Sequence, residues 1–364
     1  MSEINDISYM EQALHLAEKG RYSTSPNPAV GCVIVKNRRV IGSGFHRRAG
    51  GPHAEIEAIN SATESCENAT AYITLEPCSH HGKTGPCCEA LIAQRFARVV
   101  YAVVDPNKDV AGKGDRMLRK AGMDVLGGVC GAAASELNKG FFKRMEYGRP
   151  YVTVKIAMSL DGATALRKGE SKWITCSESR EDVQRLRAEA CAILTGIGTV
   201  LKDDPSLNIR TLSFDTLGRQ PMRVVLDSKL RTPRDSKLLS VAGVNRIYTA
   251  SADSSLATAL RDAGAIVCFT PKCDNGIDVE AVLCDLSKQG INKVLVEAGA
   301  TIVAELIGKR LFDEIIVYMA PKILGRDARS GFNIASPDNL SDAFGLKLVE
   351  SYKVGTDIVL KFLR

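Results

Sequence analysis

The stretch that decides the fold of the first half reads GPHAE at residues 51–55 and TLEPCSHHGKTGPCC at residues 74–88. It contains His53, Glu55, Cys78 and Cys87, which are residue types that coordinate zinc in proteins or transfer protons beside it. A catalytic zinc takes three ligands of the histidine and cysteine type and leaves a fourth position for water. The metal lowers the pKa of that water to about 7, and a carboxylate that is not a ligand can then carry protons. We therefore predict that His53, Cys78 and Cys87 bind zinc and that Glu55 is the proton carrier.

The spacing of the two cysteines departs from the pattern H-x-E and P-C-x-x-C that is typical of zinc deaminases. Eight residues, 79–86, separate Cys78 from Cys87. We expect hydrolytic attack on an aromatic carbon that bears an amino group, with Glu55 passing the proton to the leaving ammonia. The alternative is a structural zinc site, which needs a fourth protein ligand. For that ligand the chain offers Cys88, His80 and His81.

Length and composition indicate a globular protein of two domains. The 364 residues are too many for one ordinary domain, and 45% of them are hydrophobic and 25% charged. The net charge of +6 suits anionic small molecules, while the single tryptophan argues against a platform that stacks nucleic-acid bases. The acidic N-terminus has no signal-peptide pattern, and no run of apolar residues is long enough to span a membrane. We therefore expect a cytoplasmic protein without membrane or nucleic-acid partners.

An α/β arrangement is predicted for the first half, because strand and helix patterns alternate along it. Strands are predicted on both sides of the KNRR turn and at Ala71–Leu75 and Val99–Val104. Helices are predicted from about Asp6 to Gly20, over GPHAEIEAI, over CCEALIAQRF and from Ala111 to Gly122. For GPHAEIEAI we expect Gly51 and Pro52 at the start, His53 in the first turn, and Ile56 and Ile59 facing the core.

The alternation of strands and helices continues after a predicted domain boundary near Tyr147 to Pro150, where Gly148 and Pro150 interrupt the pattern. Strands are predicted at residues 152–157, 192–195, 222–226, 246–249, 266–269, 293–296, 314–319 and 358–362. Helices are predicted at residues 179–190, 256–263, 279–289 and 301–308. The second half is therefore expected to be a second α/β domain.

Two glycine turns in the second half follow predicted strands and can present backbone N–H groups to a phosphate. They read TGIGTV at residues 195–200 and VEAGAT at residues 296–301. No G-x-G-x-x-G motif opens this half, and glycine turns are common without a ligand, so a nucleotide site and ordinary turns are both open at this point. Arg187 and Arg210 are candidate phosphate ligands, because arginine binds phosphate bidentately; each could also be a surface arginine.

The motifs of both halves together resemble the bifunctional deaminase–reductase family of riboflavin biosynthesis. They are NPAVGCVIV, GPHAE and TLEPCSHHGKTGPC in the first half, and VKIAMSLDGATA, SKWIT, ILTGIGTVLKDDPSLNIR and VEAGAT in the second. The resemblance implies an α/β fold, with a cytidine-deaminase-like three-layer domain over residues 1–147 and a dihydrofolate-reductase-like domain over residues 148–364. It implies zinc-dependent deamination of 2,5-diamino-6-(5-phosphoribosylamino)pyrimidin-4-one. NADPH-dependent reduction of the ribosyl chain would then give 5-amino-6-(5-phosphoribitylamino)uracil.

The resemblance also implies binding residues, by their positions in these motifs. The deaminase substrate would contact Asn27, His46, His80 and Lys83. NADPH would contact Ala157, Trp173, Thr199, Asp203, Ser228, Gly299, Ala300 and Thr301. The reductase substrate would contact Ser171, Arg187, Leu207, Arg210 and Glu297. One zinc ion per chain and a homo-oligomer, either a dimer or a tetramer, are implied as well.

Two alternative functions use some of the same residues. A nucleic-acid base deaminase with an accessory nucleotide-binding domain shares the zinc chemistry, but it predicts clustered basic and aromatic side chains and does not explain the long second half. A zinc-stabilised nucleotide-binding module predicts four zinc ligands and no role for Glu55. Asn27 also has two interpretations: between Pro26 and Pro28 its backbone should be extended, and its amide could read a heterocycle or stabilise a turn.

Overall fold

The chain folds into two compact units. The structure is a computed structural model that describes residues 3–80, 85–108, 110–211, 213–273 and 276–364. The first unit comprises residues 1–149 with 215–217, and the second comprises residues 150–214 with 218–364. None of the helices in the described ranges combines the length and the apolar character needed to cross a membrane.

A five-stranded sheet organises the first unit. Its strands are β1 Gly31–Lys36, β2 Arg39–Phe45, β3 Thr70–Ile73, β4 Arg98–Tyr101 and β5 Asp124–Gly127. Its helices are α1 Glu3–Glu18, α2 Ala54–Asn60, α3 Cys87–Ala93, α4 Lys113–Lys120, α5 Gly131–Leu137 and α6 Lys139–Tyr147. The strand order is β2-β1-β3-β4-β5; β1 is antiparallel to both neighbours, and β3, β4 and β5 are parallel.

Both faces of this sheet are buried, so the unit has three layers. Along β1, Cys32 and Ile34 belong to a core cluster that includes residues of α2 and α3. Val33 and Val35 point to the opposite face and belong to a second cluster with Met10 of α1. Because successive strand residues alternate between faces, a strand buried on both sides needs a continuous apolar run, and GCVIV provides it.

Helix α2 begins at Ala54, so the prediction that Gly51 and Pro52 start it was wrong. His53 is the residue before the helix rather than part of its first turn, and its backbone is extended, with φ −74° and ψ 163°. An N-cap residue keeps this conformation because its carbonyl group joins the helix while its own N–H does not. The carbonyl of His53 accepts the N–H of Glu57 accordingly.

The buried face of α2 agrees with the prediction only in part. Ile56 and Ile59, which were expected to face the core, are partly buried, and Ile59 packs against the core cluster. The buried residues of this helix are Ala54, Glu55 and Ala58. The cause is close packing on β2: a Cβ on Gly42 would lie 2.4 Å from the carbonyl oxygen of Ala58, and one on Gly44 would lie 2.5 Å from its nitrogen. Only small side chains fit between backbones this close, so alanines occupy the contact with β2.

A nine-stranded sheet organises the second unit. The strands of this unit are β6 Tyr151–Ser159, β7 Ala163–Ala165, β8 Ala192–Gly196, β9 Met222–Leu226, β10 Asn245–Thr249, β11 Ala265–Phe269, β12 Lys272–Cys273, β13 Gly276–Ile277, β14 Lys293–Val296, β15 Glu314–Ala320, β16 Arg329–Ser330, β17 Lys347–Val354 and β18 Asp357–Leu363. Its helices are α7 Ser177–Glu189, α8 Ile197–Asp203, α9 Lys237–Ser240, α10 Ser254–Asp262, α11 Val279–Lys288 and α12 Ala300–Gly308, with a 3₁₀ turn at Leu340–Asp342.

The main sheet of the second unit is largely parallel. Its strand order is β11-β10-β9-β8-β14-β6-β15-β18-β17, and β7 pairs with β16 and β12 with β13 outside it. The strands from β11 to β15 in this order run parallel, and β18 and β17 add an antiparallel hairpin at one side. The carboxyl ends of the parallel strands therefore meet at one end of the sheet, which is where ligands bind in open α/β sheets.

Strand β17 is the member of this sheet that the sequence did not predict. Most of its side chains are exposed, because it lies at the outer side of the antiparallel hairpin. An edge strand of this kind buries little, so it lacks the apolar pattern by which the other strands were recognised.

Gly31→Ala should destabilise the first unit by at least about 2 kcal/mol. The new methyl group would lie 2.0 Å from the carbonyl oxygen of Ala13 and 2.8 Å from the nitrogen of Ala17, so α1 would have to move off β1. Urea unfolding followed by circular dichroism measures the change. Gly85→Ala is the control, since nothing lies within 4 Å of its Cβ position. An equal effect of the two substitutions would contradict the close packing of α1.

Candidate active sites

The three residues predicted to bind zinc meet in the first unit. Nδ1 of His53 lies 3.3 Å from Sγ of Cys87 and 3.6 Å from Sγ of Cys78. All three candidate ligand atoms lie within 4.8 Å of one another. Zinc bonds of about 2.0 Å to nitrogen and about 2.3 Å to sulfur, at tetrahedral angles, place ligand atoms roughly 3.5 Å apart. The donor types and their spacing therefore fit zinc.

The adjacent cysteines Cys87 and Cys88 have different surroundings. Cys87 is the first residue of α3, and its N–H donates to Sγ of Cys78 at 3.3 Å. The thiol of Cys88 points elsewhere and donates to the carbonyl oxygens of Pro77 at 3.4 Å and Gly114 at 3.8 Å. Cys88 is thus not a fourth ligand. Within the described residues the group has three ligands, as an open catalytic zinc site requires.

Glu55 lies beside these ligands on α2 and is 4% exposed. Burial, together with the negative charge of Cys78, raises the pKa of Glu55 to about 7. Hydrogen bonds from Cys87 and His53 lower the pKa of Cys78 to about 4, so Cys78 carries the thiolate. A second thiolate so close is unfavourable, which raises the pKa of Cys87, and a bound cation would reverse this effect. A carboxyl group that titrates near neutral pH can both take and release a proton.

His46 and Asn27 lie next to the candidate zinc ligands. Nδ1 of His46 is 2.9 Å from the carbonyl oxygen of Pro52, and its Nε2 is 3.1 Å from the amide nitrogen of Asn27. The carbonyl requires a proton on Nδ1, so Nε2 accepts from the amide and the ring is neutral. Burial lowers the pKa of His46, which agrees with a neutral ring. The N–H of Asn27 donates to the carbonyl oxygen of Thr24 at 2.9 Å, so Asn27 is the last residue of a turn, and the extended backbone expected of it stays a prediction.

The other two residues predicted to bind the deaminase substrate are in the long loop between the cysteines. His80 is exposed, and it is the last residue that the structure describes before residue 85. Lys83 and the candidate ligand His81 lie outside the described residues. The contacts predicted for this loop therefore remain predictions.

A buried carboxylate, Glu76, supports the chain next to Cys78, and the sequence reasoning missed it. Glu76 is 3% exposed. Its oxygens accept the backbone N–H groups of Asp105 at 3.3 Å, Gly112 at 2.9 Å, Gly114 at 2.9 Å and Asp115 at 3.1 Å. It therefore caps the first turn of α4 from the end of β3. Its signal in the sequence was an acidic residue between a buried strand and the Pro77–Cys78 pair.

In the second unit, a cavity of about 1370 Å³ opens at the carboxyl ends of the parallel strands. All the residues predicted to contact NADPH or the reductase substrate line it. They come from strand ends, from α7, and from the segments that follow β8 and β14, which are far apart in sequence. The structure thus brings these residues to one place, while their individual roles remain predictions.

A buried ion cluster lies at the carboxyl end of β14. Nε and an Nη atom of Arg187 donate to the two carboxylate oxygens of Glu297 at 2.6 and 3.1 Å, and Nζ of Lys155 lies 3.1 Å from the same carboxylate. Burial alone would raise the pKa of Glu297, but Arg187 and Lys155 outweigh it and hold that pKa far below its ordinary value. Lys155 was not predicted. Its signal was a lysine on the half-buried face of the apolar strand YVTVKIAMS.

The two predicted glycine turns have different structural roles. Gly196 ends β8, and a Cβ there would lie 2.6 Å from Cδ1 of Ile302, so the glycine lets α12 pack against β8. Gly299 precedes α12, and nothing lies within 4 Å of its Cβ position. Gly299, Ala300 and Thr301 line the cavity. The first turn of α12 can therefore offer its N–H groups to a pyrophosphate.

Both units of the chain are similar to known protein families. A family model described as the RibD C-terminal domain matches residues 150–360. A second, described as the cytidine and deoxycytidylate deaminase zinc-binding region, matches residues 3–103. The riboflavin biosynthesis protein RibD of Escherichia coli strain K12 is 45% identical, with 98% of this chain and 99% of the relative covered. This chain belongs to the RibD family.

Solved structures of this family have the same fold. RibD of Acinetobacter baumannii is 44% identical with a TM-score of 0.93, covering 100% of this chain and 99% of that one. A diaminohydroxyphosphoribosylaminopyrimidine deaminase/5-amino-6-(5-phosphoribosylamino)uracil reductase from Thermotoga maritima is 32% identical with a TM-score of 0.87, covering 99% of both chains. The predicted fold, a cytidine-deaminase-like domain followed by a dihydrofolate-reductase-like α/β domain, is confirmed.

Membership of the RibD family establishes the two activities. The chain is a bifunctional deaminase and reductase of riboflavin biosynthesis, with zinc and NADPH as cofactors. A nucleic-acid base deaminase leaves the match over residues 150–360 unexplained. The zinc-stabilised binding module required a fourth ligand, which the described residues do not supply.

Glu76→Gln should weaken zinc binding about tenfold, as losses around metal ligands commonly do. The amide nitrogen would replace an oxygen that accepts backbone N–H groups, and the segment leading to Cys78 would loosen. Competition with a chromophoric chelator measures the zinc dissociation constant of the full chain. The control is Glu67→Gln, an exposed glutamate paired with Arg95. Unchanged zinc affinity in Glu76→Gln would show that Glu76 does not support the site.

Proposed function

We propose that the first unit deaminates 2,5-diamino-6-(5-phosphoribosylamino)pyrimidin-4-one and that the second reduces the product to 5-amino-6-(5-phosphoribitylamino)uracil. The observation that carries this proposal is the meeting of His53, Cys78 and Cys87 beside the buried Glu55. The cavity that collects the predicted reductase residues supports the second step. The name of the Thermotoga maritima relative pairs a deaminase with a reductase that act on such compounds.

In the deamination step, His53, Cys78 and Cys87 would hold the zinc. When bound there, zinc supplies Lewis acidity that makes water nucleophilic near neutral pH. The Glu55 carboxylate takes a proton from the attacking water and delivers it to the leaving amino nitrogen. Burial holds the pKa of Glu55 above its ordinary value, which favours the uptake of a proton from water by this carboxylate.

Asn27 and His46 would orient the pyrimidine ring. The neutral ring of His46 accepts from the amide nitrogen of Asn27, so the amide oxygen is directed away from His46 and can accept from a ring N–H or amino group. His80 would contact the ring from the loop between the cysteines. Lys83 would bind the phosphate of the substrate as a point charge.

In the reduction step, the ion cluster of Glu297, Arg187 and Lys155 would hold the reacting end of the substrate. Arg187 is committed to Glu297 through two hydrogen bonds and also donates to the carbonyl oxygen of Asn208 at 3.1 Å. It therefore positions Glu297, and the rest of its guanidinium faces the cavity that it lines. Lys155 lines the cavity and can donate to an oxygen of the substrate. NADPH supplies the hydride, and the protein positions the opened ribosyl chain against it.

Arg210 is the proposed ligand of the substrate phosphate. It lies on the cavity wall and is exposed, and its guanidinium makes a long contact of 3.5 Å to Oδ1 of Asn208. Its backbone N–H is fixed by the side chain of Gln184 at 3.0 Å, which holds this part of the wall against α7. Because the backbone of Arg210 is fixed, its guanidinium stays at the cavity wall, where it can bind phosphate bidentately. Ser171 and Leu207 would complete the substrate contacts.

Three further properties belong to the proposal. Residues 1–147 and 148–364 would be the deaminase and reductase domains, and the division between the two compact units falls at Arg149 and Pro150. A homo-oligomer is supported by β17, an edge strand on which Leu348 and Val349 are exposed, because unpaired edges associate with other chains. A cytoplasmic location is supported by the free cysteines of the described residues.

Glu55→Gln should lower the deamination rate about 100- to 10,000-fold while zinc stays bound, because the amide cannot carry a proton. Mass spectrometry of the pyrimidine phosphate follows the change of amine to carbonyl, and the gain of two hydrogens once NADPH is added. Reduction of substrate that is already deaminated should proceed at the normal rate. The matched control is Glu57→Gln in the same helix. Normal ammonia release by Glu55→Gln would refute the role of Glu55.

Arg210→Ala should raise the KM of the reductase for its phosphorylated substrate about 10- to 100-fold, since one charged contact to phosphate is lost. Deamination should be unaffected. NADPH oxidation with the deaminated substrate measures the effect, and Arg167→Ala, an exposed arginine outside the cavity lining, is the control. A lower kcat with an unchanged KM would contradict phosphate binding by Arg210.

A further inference from the structure

We propose that Arg231 and Lys237 bind the 2′-phosphate of NADPH and thereby make the reductase select NADPH over NADH. This inference rests on the proposed use of the cavity by the dinucleotide. Neither residue was among the predicted cofactor contacts, although both line the cavity. They belong to the segment between β9 and α9, which we call the β9–α9 loop and define as residues 227–236, with Lys237 immediately after it.

The position of this loop corresponds to the ribose end of a dinucleotide site. In open parallel sheets the dinucleotide lies across the carboxyl ends of the strands. Ser228 follows β9, and Glu297 follows β14, with β8 between these two strands. At a strand spacing of about 4.8 Å, the loop is roughly 10 Å along the sheet from the ion cluster that would hold the substrate. A dinucleotide whose nicotinamide meets the substrate therefore extends its adenosine half toward the β9–α9 loop.

The cavity wall next to the loop is apolar, as a site for adenine requires. Leu226, Ile197 and Ile277 line the cavity there. The Cβ position of Gly276 lies 3.8 Å from Cβ of Ser228, so the strand pair that carries Ile277 packs directly on the start of the loop. An adenine bound against these side chains places its ribose beside the polar residues of the loop.

The loop is held in one conformation by Asp227. This residue is completely buried, and its Oδ2 accepts the N–H of Thr232 at 2.7 Å and the hydroxyl of Thr232 at 2.8 Å. Leu230 is also buried and adopts a φ of 53°, which turns the chain sharply between its neighbours. With Leu230 anchored in the core, Ser228 and Arg231 lie on the cavity side. The guanidinium is therefore carried by a preorganised turn, which reduces the entropy that binding costs.

The side chains of Arg231 and Lys237 differ in how freely they can bind a phosphate. Arg231 is exposed, and in the described part of the chain no hydrogen bond or ion pair engages its guanidinium. Lys237 donates its backbone N–H to Oδ1 of Asp204 at 2.8 Å, and its Nζ lies 3.5 Å from Oδ2 of the same residue. Arg231 can therefore take a phosphate bidentately, while Lys237 adds a point charge that Asp204 partly neutralises.

The acidic residues near the loop are not placed to prefer NADH. Enzymes that select NADH use a free carboxylate after the corresponding strand to bind the ribose hydroxyls, whereas an arginine there accommodates the 2′-phosphate. Asp227 is at that position, but it does not line the cavity and its Oδ2 is committed to Thr232. Asp203 and Asp204, which do line the cavity, are paired with Lys172 at 3.9 Å and with Lys237.

Isothermal titration of the full chain with NADP⁺, NAD⁺ and 2′,5′-ADP at fixed ionic strength tests the proposal. Arg231→Ala should weaken NADP⁺ and 2′,5′-ADP about 10- to 100-fold and change NAD⁺ less than about twofold. Lys237→Ala should weaken the same two ligands less, about 3- to 10-fold, because Asp204 already shares its charge. Matched controls are Arg234→Ala and Lys229→Ala, which remove the same charges from the same loop but do not line the cavity.

Three outcomes would overturn the proposal alone, and a fourth would overturn the reductase assignment with it. The first is an equal loss of NADP⁺ and NAD⁺ affinity in Arg231→Ala, which would indicate a general structural effect. The second is an equal loss of NADP⁺ affinity in Arg234→Ala, which would indicate nonspecific attraction by the basic loop. The third is an unaltered protein that binds NADP⁺ and NAD⁺ equally, which would refute selection while leaving the reductase assignment intact. Failure of the unaltered protein to bind either dinucleotide would refute both.

Discussion

The direction of the parallel strands is the constraint on which both active sites depend. In each unit one residue of the candidate site follows the carboxyl end of a parallel strand, where the chain leaves the hydrogen-bonded ladder and its side chains can meet those of other elements. Cys78 follows β3 in the first unit, and Glu297 follows β14 in the second. Because neighbouring parallel strands end at the same side, groups far apart in sequence are brought within bonding distance. The positions of the reacting groups thus depend first on the two sheets and only then on the loops.

Three buried glutamates show how the same side chain acquires different roles. Burial and the neighbouring thiolate raise the pKa of Glu55 to about 7, which suits its proposed role in proton transfer. Glu76 accepts backbone N–H groups at both oxygens and holds a loop in place. Glu297 is neutralised by an arginine and a lysine, which keeps its pKa low and makes it a fixed anion. Burial penalises all three charges, so the partners decide whether the group moves a proton, supports a loop or orients a cation.

The sequence predicted most strands and helices because apolar residues recur at regular spacings along buried elements. The prediction failed where that spacing was absent or misleading. Strand β17 is exposed and has little pattern, and α2 packs through alanines because glycines on β2 let the two backbones approach closely. Isoleucine is more hydrophobic than alanine, but it is too large for the contact between α2 and β2. Hydrophobicity predicts which residues leave water, whereas the distance between backbones decides which of them fit.

The sequence by itself determined the candidate zinc ligands and the candidate proton carrier, because their chemistry depends on residue type and on short spacings along the chain. It also indicated the family, through motifs spread over both halves. Only the tertiary structure decided that Arg187 and Lys155 converge on Glu297, residues more than a hundred positions apart. It likewise placed Arg231 on the cavity wall and turned Cys88 away from the candidate zinc ligands. The physical reason is that a charge acts over a few ångströms in space, and sequence separation does not encode that distance.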